Sequence, residues 1–293
     1  MIGTSWTAMA ANTALDKAQE LETLLKACGH VAVAFSGGVD SSYLLAAAVD
    51  ALGAEHVLAL TADSPLLPRH ELERARAVAA ALGVRHEVVS FDDLQIPEVA
   101  GNHPLRCYYC KKARFAALLD LVAELEEGLP RPVLLHGENR DDAHDYRPGS
   151  QAARELGVRA PLAEVGLTKA EIRWLSRQRG LPTADIPAAA CLATRFPYDT
   201  PLTREGLERV ERAEQVLGEL LGEVQLRVRD YGSMARIEVA AEAIPILVRE
   251  DLRERVVDRL HELGYRYVTL DLNGYRMGAM NEQLESSTGS DSA

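Results

Sequence analysis

Five residues of strand-forming character, Val31-Ala-Val-Ala-Phe35, run without a polar break into Ser36-Gly-Gly-Val-Asp-Ser-Ser42, and from there into the apolar stretch from Tyr43 to Leu52. A short run that is apolar at every position predicts a strand covered on both faces, as in parallel sheets layered between helices. Gly37 and Gly38 let the backbone reverse tightly and bring its N–H groups close to an anion. A helix beginning there adds open N–H groups and the positive end of its dipole. Ser36, Ser41 and Ser42 add hydroxyl donors, and Asp40 is suited to a Mg²⁺ that bridges phosphates. The segment lacks the lysine of a GxxxxGK[ST] loop, which excludes a GTPase-type site. An ordinary glycine-rich strand-to-helix turn is the plainer alternative; the whole seven-residue run in this setting favours phosphate binding.

The alternation continues. Val57-Leu-Ala-Leu-Thr61, His86-Glu-Val-Val-Ser90 and Pro132-Val-Leu-Leu-His136 predict strands, and apolar residues at helical spacing predict helices over 13–28, 69–82 and 111–127. After Pro197-Tyr-Asp-Thr-Pro201 the order becomes helix (203–221), two strands (224–229 and 235–239) joined by the turn Asp230-Tyr-Gly-Ser, helix (249–263) and a last strand (265–272). The expected class is α/β, a doubly wound parallel sheet over residues 13–200 with a smaller C-terminal α+β domain over 201–282. Ligands belong at the carboxyl ends of the parallel strands. Residues 1–12 predict a loose tail, and 283–293, rich in Ser, Gly and acidic residues, a disordered one.

Lysine and arginine number 32 against 44 aspartates and glutamates, a formal charge of −12. Such a chain has no basic footprint for nucleic acid or an anionic membrane, although a local basic pocket is compatible with it. Hydrophobic residues at 47% and charged residues at 26% exclude a disordered or fibrous chain. The best apolar run, 44–49, stops at Asp50, far short of the ~18 residues that span a bilayer. No basic segment followed by an apolar stretch marks the N-terminus, so a cytoplasmic place is expected.

Four cysteines in 293 residues make no disulfide scaffold. Cys107 and Cys110 are spaced CxxC, which in a reducing compartment points to a cluster or sulfur chemistry, with zinc or a simple dithiol as alternatives. Zinc wants a fourth ligand, and His103 is the only nearby candidate. Cys191 sits in an alanine-rich stretch and alone would read as a small core residue. Its neighbour Arg195 points instead to a nucleophile, because a nearby cation favours the thiolate. Cys28 reads as core. Asp141, Asp142 and Asp145 follow the fourth strand and either order a reaction site or form a solvated turn with capping duty; Arg147 reads as a structural or phosphate contact. Arg227 and Arg229 alternate along one strand and so share a face that can clamp a phosphate, the alternative being a cross-strand salt-bridge ladder.

Ser36–Ser42 resembles the SGGxDS motif of the PP-loop ATP pyrophosphatases, a HUP-like fold. Arg106-Cys-Tyr-Tyr-Cys-Lys111, the segment from Gly137 to Gly149, and Pro187-Ala-Ala-Ala-Cys-Leu-Ala-Thr-Arg-Phe-Pro-Tyr198 make the chain similar, over about residues 14–275, to the LarE family of ATP-dependent sulfur transferases. The resemblance implies that a carboxylate of a pyridinium mononucleotide is adenylated, pyrophosphate leaves, and sulfur displaces AMP in nickel-pincer nucleotide synthesis. It implies ATP and Mg²⁺ at Ser36–Ser42, an adenosine pocket shaped by Thr61 and Asp63, and Cys191 in the sulfur-donor position. Where three cysteines occur, as Cys107, Cys110 and Cys191 do here, it implies a [4Fe-4S] cluster with an open iron. It further implies substrate phosphate on Arg227 and Arg229, a divalent metal near Glu238, a hexamer, and other nickel-pincer enzymes as partners. Two positions depart from the pattern. Thr194 replaces a common Ser, and Asp199 replaces a usual Gly, which questions the shape of that loop.

Two rivals remain at this level. One is another PP-loop adenylating enzyme, either an amidating synthetase or a tRNA thiolase, the latter disfavoured by the acidic charge. The other is a non-catalytic ATP-sensing module.

Overall fold

The computed structural model describes residues 6–124, 132–144, 148–187, 190–222 and 224–276. They divide into two units, one drawn from 1–92 and 107–189, the other from 93–106 and 190–293. The tail at 283–293 lies outside the described residues.

The first unit carries four parallel strands, β1 (Val31–Ala34), β2 (Val57–Asp63), β3 (Arg85–Ser90) and β4 (Val133–His136), in the order β3-β2-β1-β4. Ala34 is registered on Leu60 of β2 and on His136 of β4. The helices are α1 (Ala8–Cys28), α2 (Val39–Leu52), α3 (Arg69–Ala81), α4 (Arg106–Glu124), α5 (Pro148–Glu155) and α6 (Lys169–Gln178). Both sheet faces are covered, as the unbroken apolar runs require. Val31 and Val33 pack with Leu21, Leu25, Tyr43 and Ile172, while Ala32 between them packs with Phe115, Leu118 and Leu134 on the opposite face. From β1 the chain builds outward to β3 and then returns to place β4 on β1's other side. The strand order therefore reverses at β1, and the crevice beyond the carboxyl ends of β1 and β4 is where such sheets bind ligands.

Several helices begin earlier than apolar spacing predicts, because caps rather than core residues set helix starts. The Thr7 hydroxyl accepts from Ala10 N–H and starts α1 at Ala8, inside the expected loose tail. Gly38 is the N-cap of α2, which places Asp40, Ser41 and Ser42 in its first turn. α4 opens at Arg106, so the CxxC pair lies on its first turn, i and i+3, on one side of the helix.

In the second unit α7 (Arg204–Leu221) precedes β5 (Leu226–Asp230) and β6 (Met234–Val239), and α8 (Glu250–Glu262) precedes β7 (Tyr267–Leu270). β5 and β6 are antiparallel, β6 and β7 parallel. This is the small α+β arrangement expected, with one addition from mid-chain. Segment 93–106 joins it because Leu202 N–H donates to Ala100 O at 2.7 Å and the Asn102 amide donates to Pro197 O at 2.7 Å.

Two adjacent glycines in the loop after β1 differ in how far they are required. Gly37 has φ +70°, and a Cβ there would stand 2.9 Å from the backbone nitrogen of Ala75 in α3; Gly38 has φ −81° and would meet only the Ser36 hydroxyl, at 3.4 Å. Gly37→Ala is expected to cost about 2 kcal/mol or more in urea unfolding, and Gly38→Ala less than about 1 kcal/mol. Equal losses would show that the left-handed turn is not what holds the loop.

Candidate active site

The loop is poised as an anion cradle. No side chain caps α2, so the N–H groups of its first turn are left for a ligand. The Ser36 and Ser41 hydroxyls lie 3.1 Å apart, and the Arg74 Nε donates to Gly37 O at 2.9 Å, fixing the loop from α3. Ser42 is fully buried within α2 with its hydroxyl unbonded, so it lines the helix rather than the crevice. Across the switch point Gly137, just after β4, backs directly onto the helix start: a Cβ there would lie 2.8 Å from Ser41 N.

Asp40 is the acid of this cradle. Its Oδ2 accepts from Lys169 Nζ at 2.6 Å, in a pair with 19% and 30% side-chain exposure respectively. Burial pushes its pKa above the usual carboxylate value, against the downward pull of Lys169; Asp142 nearby pushes the same way as burial. The Asn139 amide is close enough to temper that shift, yet Oδ1 makes no formed hydrogen bond. A buried, half-partnered carboxylate beside a second one suits a hard divalent cation such as Mg²⁺.

Lys169 was not among the residues singled out from the sequence, because it lies 129 positions from its partner. One signal was readable. Thr168 and Glu171 form a capping box at the start of α6, which announces the helix that carries it. Lys17 of α1 holds that box, donating to Glu171 Oε1 at 2.7 Å and to Gly166 O at 2.9 Å. Asp141 accepts from Lys169 N–H at 2.8 Å, so its capping duty is performed on α6. Asp142 accepts from Asn139 N–H. Asp145 and Arg147 lie outside the described residues.

At the carboxyl end of β2, Thr61 and Asp63 are engaged with the protein. The buried Thr61 hydroxyl donates to Phe35 O at 2.6 Å, and its oxygen lies 2.8 Å from His86 Nε2, which must then be the donor there. Asp63 pairs with Arg69 at 2.6 Å. Both shape the strand end without offering an unengaged group. On β4, burial, with Lys111 adding to it, pushes His136 down to about 4, so its imidazole is neutral at pH 7.

In the second unit Cys191, half-buried, is the N-cap of the 3₁₀ turn Leu192–Arg195. Arg195, expected to favour its thiolate, also holds the turn. Its Nε and Nη2 grip Glu214 at 2.9 and 2.8 Å, and Nη1 donates to the carbonyls of Ala190 and Cys191 and to the Thr194 hydroxyl. It is a positioning residue that fixes the backbone on both sides of the sulfur. Thr194 thus supplies the hydroxyl expected of a Ser.

Arg229 and Glu238, both buried, form the ladder alternative rather than an open clamp. Arg229 Nη2 donates to Glu238 Oε2 at 2.6 Å and Nη1 to Thr194 O, while Arg236 takes Glu238 Oε1. With both oxygens in ion pairs, Glu238 is not placed as a metal ligand. Arg227 lies over the Tyr275 ring; burial, and then Arg195, hold its guanidinium below the usual arginine value, so positive charge is concentrated along β5. Cys107 and Cys110 stand in the first unit and Cys191 in the second, all as thiols. Among the described residues no three His, Cys, Asp or Glu side chains gather as a metal site. Burial raises the Cys28 thiol, consistent with a core residue.

The Asp199 departure resolves geometrically. Asp199 has φ +60°, the left-handed region where glycine is at ease. Asp199 N–H donates to Asn102 O, itself at φ +55°.

A family model described as NAD synthase matches residues 17–99. An uncharacterised protein of Synechocystis is 43% identical over 86% of this chain and 92% of its own length. The pyridinium-3,5-bisthiocarboxylic acid mononucleotide synthase of Lactiplantibacillus plantarum is 37% identical over 93% of this chain and 96% of its own. An uncharacterised protein of Methanocaldococcus jannaschii is 26% identical over 84% and 90%.

Asp199→Gly is expected to raise stability by about 0.5–1 kcal/mol by relieving the left-handed conformation; a lowered melting temperature would count against that account. His136, being depressed in the fold, contributes stability that is complete above its unfolded value of 6.5 and is lost as pH falls through about 4. That loss amounts to about 3 kcal/mol. Denaturant titrations across that window should show a flatter profile for His136→Gln than for the parent, and parallel profiles would refute it.

Proposed function

Because the chain belongs to the LarE family of pyridinium-3,5-bisthiocarboxylic acid mononucleotide synthases, we propose that it is an ATP-dependent sulfur transferase. It adenylates a carboxylate of a pyridinium mononucleotide and replaces oxygen by sulfur. The observation that carries the adenylation step is the cradle after β1: an uncapped helix start, a left-handed Gly37, and Asp40 beside Lys169.

ATP lies with its phosphates on the first-turn N–H groups of α2, near the Ser36 and Ser41 hydroxyls. Asp40, with Asp142 nearby, would hold Mg²⁺, which when bound neutralises charge on the phosphates. The substrate carboxylate oxygen attacks the α-phosphorus, the bond to the β-phosphate oxygen breaks, and pyrophosphate leaves. The chain's contribution is alignment and preorganised donors, the main levers in phosphoryl chemistry. Arg227 is the candidate contact for the substrate's own phosphate, Arg229 being held in its pair with Glu238.

The sulfur source is the finer part of the proposal. As donor, Cys191 sulfur attacks the acyl carbon and expels AMP. Loss of the Cα proton and cleavage of the Cβ–S bond then release the thiocarboxylate and leave dehydroalanine. Arg195 holds the carbonyls on both sides of that residue, which keeps the sulfur aimed while its bonds change. A [4Fe-4S] cluster on Cys107, Cys110 and Cys191 would find the right donors in kind, three thiolates leaving one iron open to carry a sulfide. A homo-oligomer, by resemblance a hexamer, a cytoplasmic place and delivery to other nickel-pincer enzymes complete the proposal; no described helix is long and apolar enough to cross a membrane.

The test is pyrophosphate release with ATP, Mg²⁺ and pyridinium-3,5-biscarboxylic acid mononucleotide, followed by mass spectrometry of the chain. Release should require the pyridinium substrate and vanish in Asp40→Ala. Loss of one H₂S at Cys191 marks it as donor, and an intact chain after several turnovers assigns the sulfur to a renewable carrier. Release without the pyridinium substrate, or unaffected by Asp40→Ala, would overturn the reading.

A further inference from the structure

We propose that Lys169 is a built-in counter-cation that keeps divalent metal off Asp40 until a nucleotide arrives, so that metal enters the loop only together with ATP. The inference rests on the ATP-binding reading of the loop and concerns the order in which that site fills.

Asp40 is largely buried, and Asp142 is near enough to raise its pKa. Two carboxylates in a shielded crevice would by themselves attract a divalent cation strongly, since charges interact more steeply where water is excluded. The structure places a cation there already: Lys169 Nζ stands 2.6 Å from Asp40 Oδ2. The remaining neighbours do not replace it. Asn139 is neutral and uses its Oδ1 on the N–H groups of Asp141 and Asp142, while Asp141 accepts from Lys169's own backbone. With Lys169 in place, the metal must displace an ammonium from a carboxylate whose burial makes that pairing valuable.

The same geometry shows how the block is lifted. The backbone of Lys169 is pinned at the start of α6 by Asp141, and that helix is anchored through Glu171 to Lys17. The ammonium itself is on a four-carbon stem with 30% of the side chain exposed, so it can swing while its Cα stays still. A polyphosphate on the adjacent N–H groups offers more negative charge than one carboxylate. It draws the ammonium across and leaves Asp40 to the metal. Filling is then ordered by electrostatics, without any movement of the backbone.

Mn²⁺ binding followed by electron paramagnetic resonance tests this on the full chain, with and without the α,β-methylene analogue of ATP. Wild type should bind Mn²⁺ weakly alone and tightly with the analogue. Lys169→Met should bind Mn²⁺ alone about tenfold more tightly than wild type, with its gain from the analogue correspondingly smaller. Lys169→Arg, which keeps the charge, should restore the weak nucleotide-free binding. Should nucleotide-free Mn²⁺ affinity be the same in wild type and Lys169→Met, or rise equally in Lys169→Arg, the counter-cation role is wrong while the ATP site stands. Should the analogue fail to bind wild type at all, the ATP reading falls and this inference with it.

Discussion

A carboxylate placed at the buried start of a helix is costly unless a cation accompanies it, and most of the first unit serves to bring that cation to Asp40. The ammonium of Lys169 comes from α6, well over a hundred residues downstream. It reaches Asp40 only because β4 lies beside β1 and the chain after β4 returns across the same edge. Gly137, at the end of β4, has room for no side chain against Ser41 N. That contact fixes the distance across the switch point. The Thr168–Glu171 capping box and Lys17 then fix the angle from which Lys169 enters. Together they hold the Asp40–Lys169 pair from outside it.

The second unit applies the same logic to a sulfur atom. A buried guanidinium is tolerable only when its donors are matched. Arg195 is matched by Glu214 on one side and by backbone carbonyls on the other, and Arg229 joins Thr194 O to Glu238. Two arginines thereby lock the short turn that starts at Cys191. Loss of Arg195 would take from Glu214 its guanidinium partner, and loss of Arg229 would leave Glu238 to Arg236 alone, so their removal would disturb the fold and the chemistry together. Glu238 illustrates the risk of reading function from residue type: an acid on a strand reads equally well as a metal ligand or as the partner of a neighbouring arginine. The partners within reach decide between them.

The strands were legible because their signal is local. A run such as Val31–Phe35 is apolar at every position and runs straight into a glycine turn, which marks a short strand covered on both faces. The hairpin at Asp230–Ser233 was legible for the same reason. Helix starts were displaced wherever polar or glycine caps set them, as at Gly38 for α2 and Thr7 for α1. The cradle was legible as a motif, and its acid, Asp40, is where the motif places it. Lys169 was missed because no sequence period links α6 to α2; only the strand order does. Arg195 is legible beside Cys191, but its grip on Glu214 and on the backbone of the turn is not, since adjacency in sequence says nothing about which way a guanidinium points. The recruitment of 93–106 by the second unit was likewise invisible, resting on Asn102 and Ala100 reaching residues about a hundred positions away.

An acidic chain that handles a polyphosphate and a nucleotide substrate involves no contradiction. Formal charge of −12 governs long-range attraction, which salt screens within about 10 Å. The anion sites here rely on none of it. The phosphate cradle is built from backbone N–H groups, which carry no formal charge and count nothing toward the total. Lys169 beside it is balanced by Asp40, and Arg195 and Arg229 are balanced by Glu214 and Glu238. Lys169, Arg195 and Arg229 are therefore neutralised in place until a ligand competes for them, so selectivity arises at contact distance. A chain built this way can discriminate small anions by the geometry with which they displace an internal partner.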